Sequence, residues 1–209
     1  MNIYQFTVEL KDYKPRMWRR ILVGDDITVA EIGYIVLSIF RASCSHLMNI
    51  ENPMYNSPIP QATYEIPNPY EDSFFDNSLD ATTELLRDAV SPEKGDDTLV
   101  VVYDFGDNWE FKLKLEKILD EKDVKQSQIP CVVAGKGFGI IDDCGGAYGL
   151  QQIEQVIKLK SGDAYEQYCD WIDLDCVDLS YFDKDELNGL LKEEFEYIKN
   201  AYENPDFFE

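Results

Sequence analysis

The stretch from Thr98 to Glu116, TLVVVYDFGDNWEFKLKLE, constrains the fold of this chain more than any other. Its first half, Thr98 to Tyr103, is a run of β-branched and aromatic residues, and in its second half Trp109, Phe111, Leu113 and Leu115 alternate with Glu110, Lys112, Lys114 and Glu116. Alternation with period two puts one set of side chains in a core and the other in solvent, so both halves read as strands. Asp104 to Asn108 is their connection, and a glycine between aspartates is the chemistry of a turn that needs a positive φ, assigned here to Gly106. The unit is a β-hairpin.

Other segments extend the same reading. Tyr4, Phe6, Val8 and Leu10 alternate with Gln5, Thr7 and Glu9, and after a break at Lys14-Pro15 a second strand is expected from Trp18 to Val23. Gly24-Asp25-Asp26 leads into a helix running to about Arg41, where Thr28 and Glu31 fit a capping box and Val29, Ile32, Val36 and Ile39 recur at helical spacing. Residues 52–76 hold five prolines, Pro53, Pro58, Pro60, Pro67 and Pro69, and read as a long irregular excursion, a lid or a partner-binding arm. A short helix is expected around Thr83 to Ala89, and further helices over Leu150 to Leu159 and Tyr165 to Trp171. A last helix follows Asp183, with Glu186 as its N3 partner and Leu187, Leu190, Leu191, Phe195 and Ile198 as its apolar stripe. The fold class is α+β: a mixed or antiparallel sheet with packed helices and a C-terminal helical segment. Residues 1–162 form the core, and 163–209 an acidic helical part of the same domain.

Composition narrows the function. With 44% hydrophobic and 13% aromatic residues in 209, the chain buries a core and is not a disordered tail. Its formal charge of −22 disfavours direct binding to a phosphate backbone, which draws its affinity from lysines and arginines, and favours a basic partner. The acid is concentrated: two basic against twelve acidic residues over 61–109, and three against fifteen over 163–209. Five cysteines, Cys44, Cys131, Cys144, Cys169 and Cys176, lack the close pairs of a zinc site, and no secretory apolar segment precedes them, so reduced thiols and a cytoplasmic location are expected. No apolar run approaches the roughly 20 residues needed to span a bilayer.

The glycine-rich stretch 134–149 is not a phosphate cradle. Gly135-Lys136 is followed by Gly137, and Gly145-Gly146 by Ala147, where a Walker loop needs Gly-Lys-Ser/Thr. Taken in order, Lys14-Pro15-Arg16-Met17-Trp18-Arg19-Arg20, Ser45-His46-Leu47, Tyr103 to Glu110 and Asp142-Asp143-Cys144-Gly145-Gly146 resemble the plasmid pRiA4b third-ORF family, also called insertion-element passenger or TnpR-like proteins. The C-terminal Trp171, Phe182, Asp183 and Asn188 extend the resemblance over nearly the whole chain. It implies a mixed α+β domain carried by bacteria, archaea, plasmids and mobile elements, with no established reaction. A recombinase is not implied beyond the label, since a basic DNA-binding end is missing. Family members usually carry further histidines at the positions of Met48 and Phe111 here, so if the family's histidines form a site, this chain lacks two nitrogen ligands.

Three constellations remain. His46 is the only histidine, and its plainest reading is a helix-end or core residue satisfied by a backbone carbonyl; a Cys44–His46 dyad lacks an orienting third group. Asp104, Asp107, Glu110, Asp142 and Asp143 converge if the hairpin tip meets the glycine loop, giving an all-oxygen site for magnesium, manganese or calcium and metal-assisted hydrolysis. Arg16, Arg19 and Arg20 are ion-pair partners for the acidic zones, with at least one beside Trp18. The preferred expectation is a non-catalytic acidic module for a basic protein, a DNA-mimic inhibitor in its specific form, using Asp170, Asp173, Asp175, Asp178, Glu193, Glu194 and Glu196. This reading assigns no cofactor and no catalytic residue.

Overall fold

The computed structural model describes residues 1–53, 60–68, 75–90, 97–120, 122, 124, 128–172 and 177–204. Its strands are β1 (Asn2–Leu10), β2 (Trp18–Gly24), β3 (Met48–Pro53), β4 (Pro60–Glu65), β5 (Leu79–Asp80), β6 (Thr98–Tyr103), β7 (Trp109–Asp120) and β8 (Cys131–Lys136). They form one sheet in the order β5-β4-β3-β6-β7-β1-β2-β8. All neighbours are antiparallel except β4 and β5, which run parallel. With helices α1 (Val29–Ile39), α2 (Leu86–Ala89), α3 (Gly146–Leu159), α4 (Asp163–Ile172) and α5 (Lys184–Glu203), the class is α+β.

The sheet buries one face. Phe6, Val8 and Leu10 of β1, Leu99, Val101 and Tyr103 of β6, and Trp109, Phe111 and Leu113 of β7 are almost wholly shielded. Each such side chain contributes roughly 1.5–3 kcal/mol on burial. Helix α1 is buried on nearly every side, all but Glu31, because the sheet covers one flank and α5 packs on it from the other. Its start is the expected capping box: Thr28 Oγ1 accepts from Glu31 N at 3.1 Å and Glu31 Oε2 from Thr28 N at 2.9 Å. Its end is a Schellman turn in which Arg41, at φ 60°, donates to Ser38 O and Ala42 N donates to Leu37 O. The chain then enters the loop that carries His46.

The proline-rich segment is a partial correction. Strand β3 runs into Pro53, and β4 starts at Pro60, inside the span expected to be irregular. Proline is compatible with a strand's first residue and with its end, where no ladder donor is required. Whether the rest of that span is a lid or arm falls largely on residues 54–59 and 69–74, outside the described residues.

The arginine cluster divides as alternation requires. Arg16 and Arg20 lie over the Trp18 ring, 5.3 and 5.6 Å from its centroid, and pair with Glu9 and Glu116. Arg19 points the other way, fully buried and without a carboxylate partner among the described residues, contrary to the ion-pair expectation. Its guanidinium donates to the carbonyls of Ile39, Trp18, Lys136 and Phe138 and lies over the rings of Phe40 and Phe182. At the sheet edge, the Asn188 side chain of α5 accepts from Val132 N at 2.8 Å and donates to Val132 O at 3.0 Å, occupying a pairing position that an edge strand leaves open.

Candidate functional site

The β6–β7 connection is built around Asp104. The left-handed conformations fall on Asp104 (φ 55°) and Asn108 (φ 53°), not on Gly106 as expected. Aspartate and asparagine tolerate this region better than most residues because their short polar side chains bond locally. Asp104 Oδ1 accepts from Gly106 N at 2.9 Å and Asp107 N at 3.3 Å, which leaves Oδ2 outside the turn.

The glycine-rich loop docks onto this tip. Asp107 Oδ2 accepts from Gly145 N at 3.0 Å, and a Cβ on Gly146, whose φ is 67°, would overlap the Asp107 carbonyl. Glycine is therefore required for the approach. From the same loop, Asp142 accepts from Tyr103 Oη at 2.8 Å and from Ser43 N at 2.9 Å, which fastens the loop before β3. The antiparallel pairing of Met48 with Tyr103 and the bond from Asp104 N to Leu47 O then bring His46 beside Asp104.

These constraints converge on three groups. His46 Nε2 lies 3.3 Å from Asp143 Oδ1 and 3.7 Å from Asp104 Oδ2, and one ligand atom from each of the three residues lies within 4.8 Å of the others. Nε2 is out of contact with solvent yet makes no hydrogen bond, so the expectation of a histidine satisfied by a backbone carbonyl does not describe this nitrogen. The Asp104 side chain is 11% exposed and the Asp143 side chain 71%, so one carboxylate is largely buried and the other faces solvent. Among the described residues no lysine or arginine is within salt-bridge distance of either.

Of the five carboxylates singled out in the sequence, Asp104 and Asp143 meet at this point. Asp107 and Asp142 instead hold the loops together. Glu110 alternates to the open face of the sheet, where it pairs with Lys11 and accepts from Asn108 Nδ2. The thiols beside the site are unsuited to nucleophilic work: burial, reinforced by the Asp142 charge, pushes Cys44 up to about 12, and burial with Asp107 and Asp142 does the same to Cys144. The Tyr103 phenol is also raised, chiefly by burial. Met48 and Phe111 are core residues; the Phe111 ring lies 4.7 Å from that of Phe40.

The acidic surface set is more dispersed. Asp170 lies on α4, which packs on α3, whereas Glu193, Glu194 and Glu196 lie on α5, which packs on α1 and β8. Glu194 turns toward Ser38, and Asp178 accepts from the backbone and hydroxyl of Ser180, which lowers its pKa. Asp173 and Asp175 lie outside the described residues. Among the described residues, no helix is long and apolar enough to cross a membrane.

An open, mainly antiparallel eight-stranded sheet, one face covered by helices and a His-Asp-Asp cluster at the β6–β7 turn, defines the class of this α+β domain. The chain belongs to the plasmid pRiA4b ORF-3-like protein family, whose pattern matches residues 2–188. It is similar to the uncharacterized protein y4hQ of Sinorhizobium fredii (strain NBRC 101917 / NGR234), 21% identical over 170 residues, covering 81% of this chain and 80% of that one. The fold is shared with the crystal structure of the protein of unknown function MM3350 from Methanosarcina mazei Go1, at TM-score 0.76 and 25% identity, covering 88% of this chain and 97% of the other.

Proposed function

We propose that the protein is a metal-dependent hydrolase that binds one divalent cation through His46, Asp104 and Asp143. The observation that carries this reading is the convergence of an imidazole nitrogen without a hydrogen bond and two carboxylates with no lysine or arginine at salt-bridge distance among the described residues. Two ligands about 2.1 Å from one ion at tetrahedral angles stand about 3.4 Å apart, and the separations of 3.3 and 3.7 Å bracket that value. One nitrogen with two oxygens moves the preference from magnesium and calcium toward manganese or zinc. His46, Asp104 and Asp143 would hold the cation, which when bound would supply Lewis-acid activation of water for hydrolysis, and the exposure of Asp143 leaves the cluster open to solvent on that side.

Calorimetric titration of the whole chain with manganese, zinc, magnesium and calcium chlorides tests this. Saturable one-to-one binding of manganese or zinc, lost in His46→Gln and weakened at least tenfold in Asp104→Asn and Asp143→Asn, is the expected result. Wild-type protein that binds none of the four, or binding untouched by all three substitutions, rules the site out.

A second reading has its own support. Asp170, Asp178, Glu193, Glu194 and Glu196 lie in the strongly acidic C-terminal part of the chain, and although Glu196 acts on Lys199 and Asp178 and Glu194 accept hydrogen bonds, the excess negative charge there favours a basic protein. In that role the protein is an acidic binding module, and in its specific form a DNA-mimic inhibitor of a nucleic-acid-binding system. Such a complex forms at low ionic strength and dissociates in moderate salt; a captured partner that is neither basic nor salt-sensitive removes the reading.

A further inference from the structure

We infer that Tyr202, on the last turn of α5, is a positioning residue of the cation site, so that cation binding and docking of the C-terminal helix are coupled. The inference rests on the reading of His46, Asp104 and Asp143 as ligands. His46 belongs to no helix or strand, and its place is set by what holds the two successive carbonyls of the loop. Leu47 O accepts from Asp104 N at 2.9 Å, which ties the loop to the backbone of a second ligand. His46 O accepts from Tyr202 Oη at 2.6 Å, a bond that reaches the loop from 156 residues away.

The phenol that makes this bond is itself fixed. The Tyr202 ring stacks on Tyr34 of α1, with centroids 5.5 Å apart and planes at 23°, and Tyr34 is fully buried between the sheet and α5. Tyr34 Oη donates to Glu203 Oε1 at 3.2 Å, and Lys199 pairs with Glu31 at 2.9 Å. The end of α5 is thus fastened to α1 by contacts independent of His46. Burial raises the Tyr202 pKa far above neutrality, so its hydroxyl proton is available to the His46 carbonyl throughout the working range. A ligand must be held to within roughly 0.5 Å for its lone pair to meet the ion, and a histidine on a loop depends on such outer partners for that placement. Coupling of this kind is reciprocal: a group that orders the ligand is itself ordered when the ion binds.

The experiment compares the full-length wild type, Tyr202→Phe and Tyr34→Phe by calorimetry with manganese and zinc chlorides. Thermal melts establish that each variant is folded. Tyr202→Phe keeps the stacked ring and loses only the hydroxyl; its cation affinity is expected to fall about tenfold, the low end of what outer-shell partners contribute. In the metal-free protein, the single imidazole gives one Hε1 resonance that is expected to move in Tyr202→Phe and stay in place in Tyr34→Phe. Tyr34→Phe loses its bond to Glu203 at the same end of α5 but leaves the His46 carbonyl bonded, and its affinity is expected to change less than twofold.

A wild type that binds while Tyr202→Phe binds equally well overturns this inference alone. So does an equal loss in both variants, which would make α5 a structural support only. A wild type that binds neither cation overturns the hydrolase reading and this inference together. A measurement that needs no variant is hydrogen exchange of the wild type: the amides of the last turn of α5 are expected to exchange more slowly with the cation bound, and unchanged exchange overturns the coupling.

Discussion

Arg19 and His46 are the two most instructive nitrogen-bearing side chains of the molecule, and their surroundings are opposites. Arg19 is a buried cation with no acid paired to it among the described residues, yet four carbonyls accept its protons and two rings cover its faces. His46 faces two carboxylates and bonds to neither, while its own ring nitrogen is closed to water. Burial draws the Arg19 pKa down to about 9, with Arg41 adding repulsion, and the carbonyl cage keeps the charge tolerable. Each guanidinium nitrogen of Arg19 has an acceptor, and that group reads as structure. The other sets His46 Nε2, which has no hydrogen bond, against two carboxylates, of which Asp104 uses Oδ1 for its own turn, and this is the pattern expected where a ligand completes the site.

The largest effect should come from breaking the matched region. Arg19→Met removes the guanidinium but leaves four carbonyls facing an apolar side chain; a buried acceptor left unsatisfied costs about 1–3 kcal/mol, and removing a buried cation offsets part of the total. Chemical denaturation is expected to show a loss of that order, with cation affinity retained in the folded fraction. A loss below about 1 kcal/mol would mean that the carbonyls find water, and the contrast with His46 would fail.

Gly146→Ala tests the opposite region. The added methyl meets the Asp107 carbonyl in a backbone conformation that alanine rarely adopts, so about 1–3 kcal/mol of strain is expected. Here the signature is different: the glycine loop lifts from the hairpin, Asp143 leaves His46, and cation affinity falls together with stability. Stability lost without affinity would detach the glycine loop from the site.

The sequence made the centre of this architecture legible and its margins much less so. The hairpin, β1, β2 and the starts of α1 and α5 carry their own local signals: period-two alternation, a capping box, and Asp183 accepting from Asp185 N and Glu186 N. Strands β3 and β8 do not, because Asn49, Glu51, Asn52 and Pro53 in one and Gly135 in the other are poor strand formers held by their neighbours across the sheet. The site inherits that blindness. His46 reaches Asp104 only once β3 pairs with β6, and the faint alternation of Met48 and Ile50 with Asn49 and Glu51 was the one local sign of it. The acidic pair Asp142-Asp143 was recognisable as chemistry, but which of the two faces the histidine depends on the Ser43 and Tyr103 bonds to Asp142.

The smallest effect sharpens what a satisfied acid looks like on this protein. Glu116, on the open sheet face, accepts from Gln5, Thr7 and the Nε and Nη2 of Arg20, and the Arg20 bonds, foremost, hold its pKa down to about 2. A carboxylate whose folded pKa is depressed contributes stability above its unfolded value near 4.3, and loses it as pH falls toward 2. With 27% of the side chain exposed, solvent screening reduces the contribution to about 0.5–1 kcal/mol. Glu116→Gln is therefore expected to lower stability by that amount at pH 7 and by nothing resolvable near pH 2, measured by denaturant unfolding across the range. The paired substitution Asp143→Asn should behave in the opposite sense at pH 7, costing nothing or stabilising slightly in the absence of a cation, because it removes one of two neighbouring carboxylates that pair with no lysine or arginine among the described residues. Equal losses from both substitutions would mean that the Asp143 charge is matched within the fold after all, and that the cluster is a structural ion pair with His46.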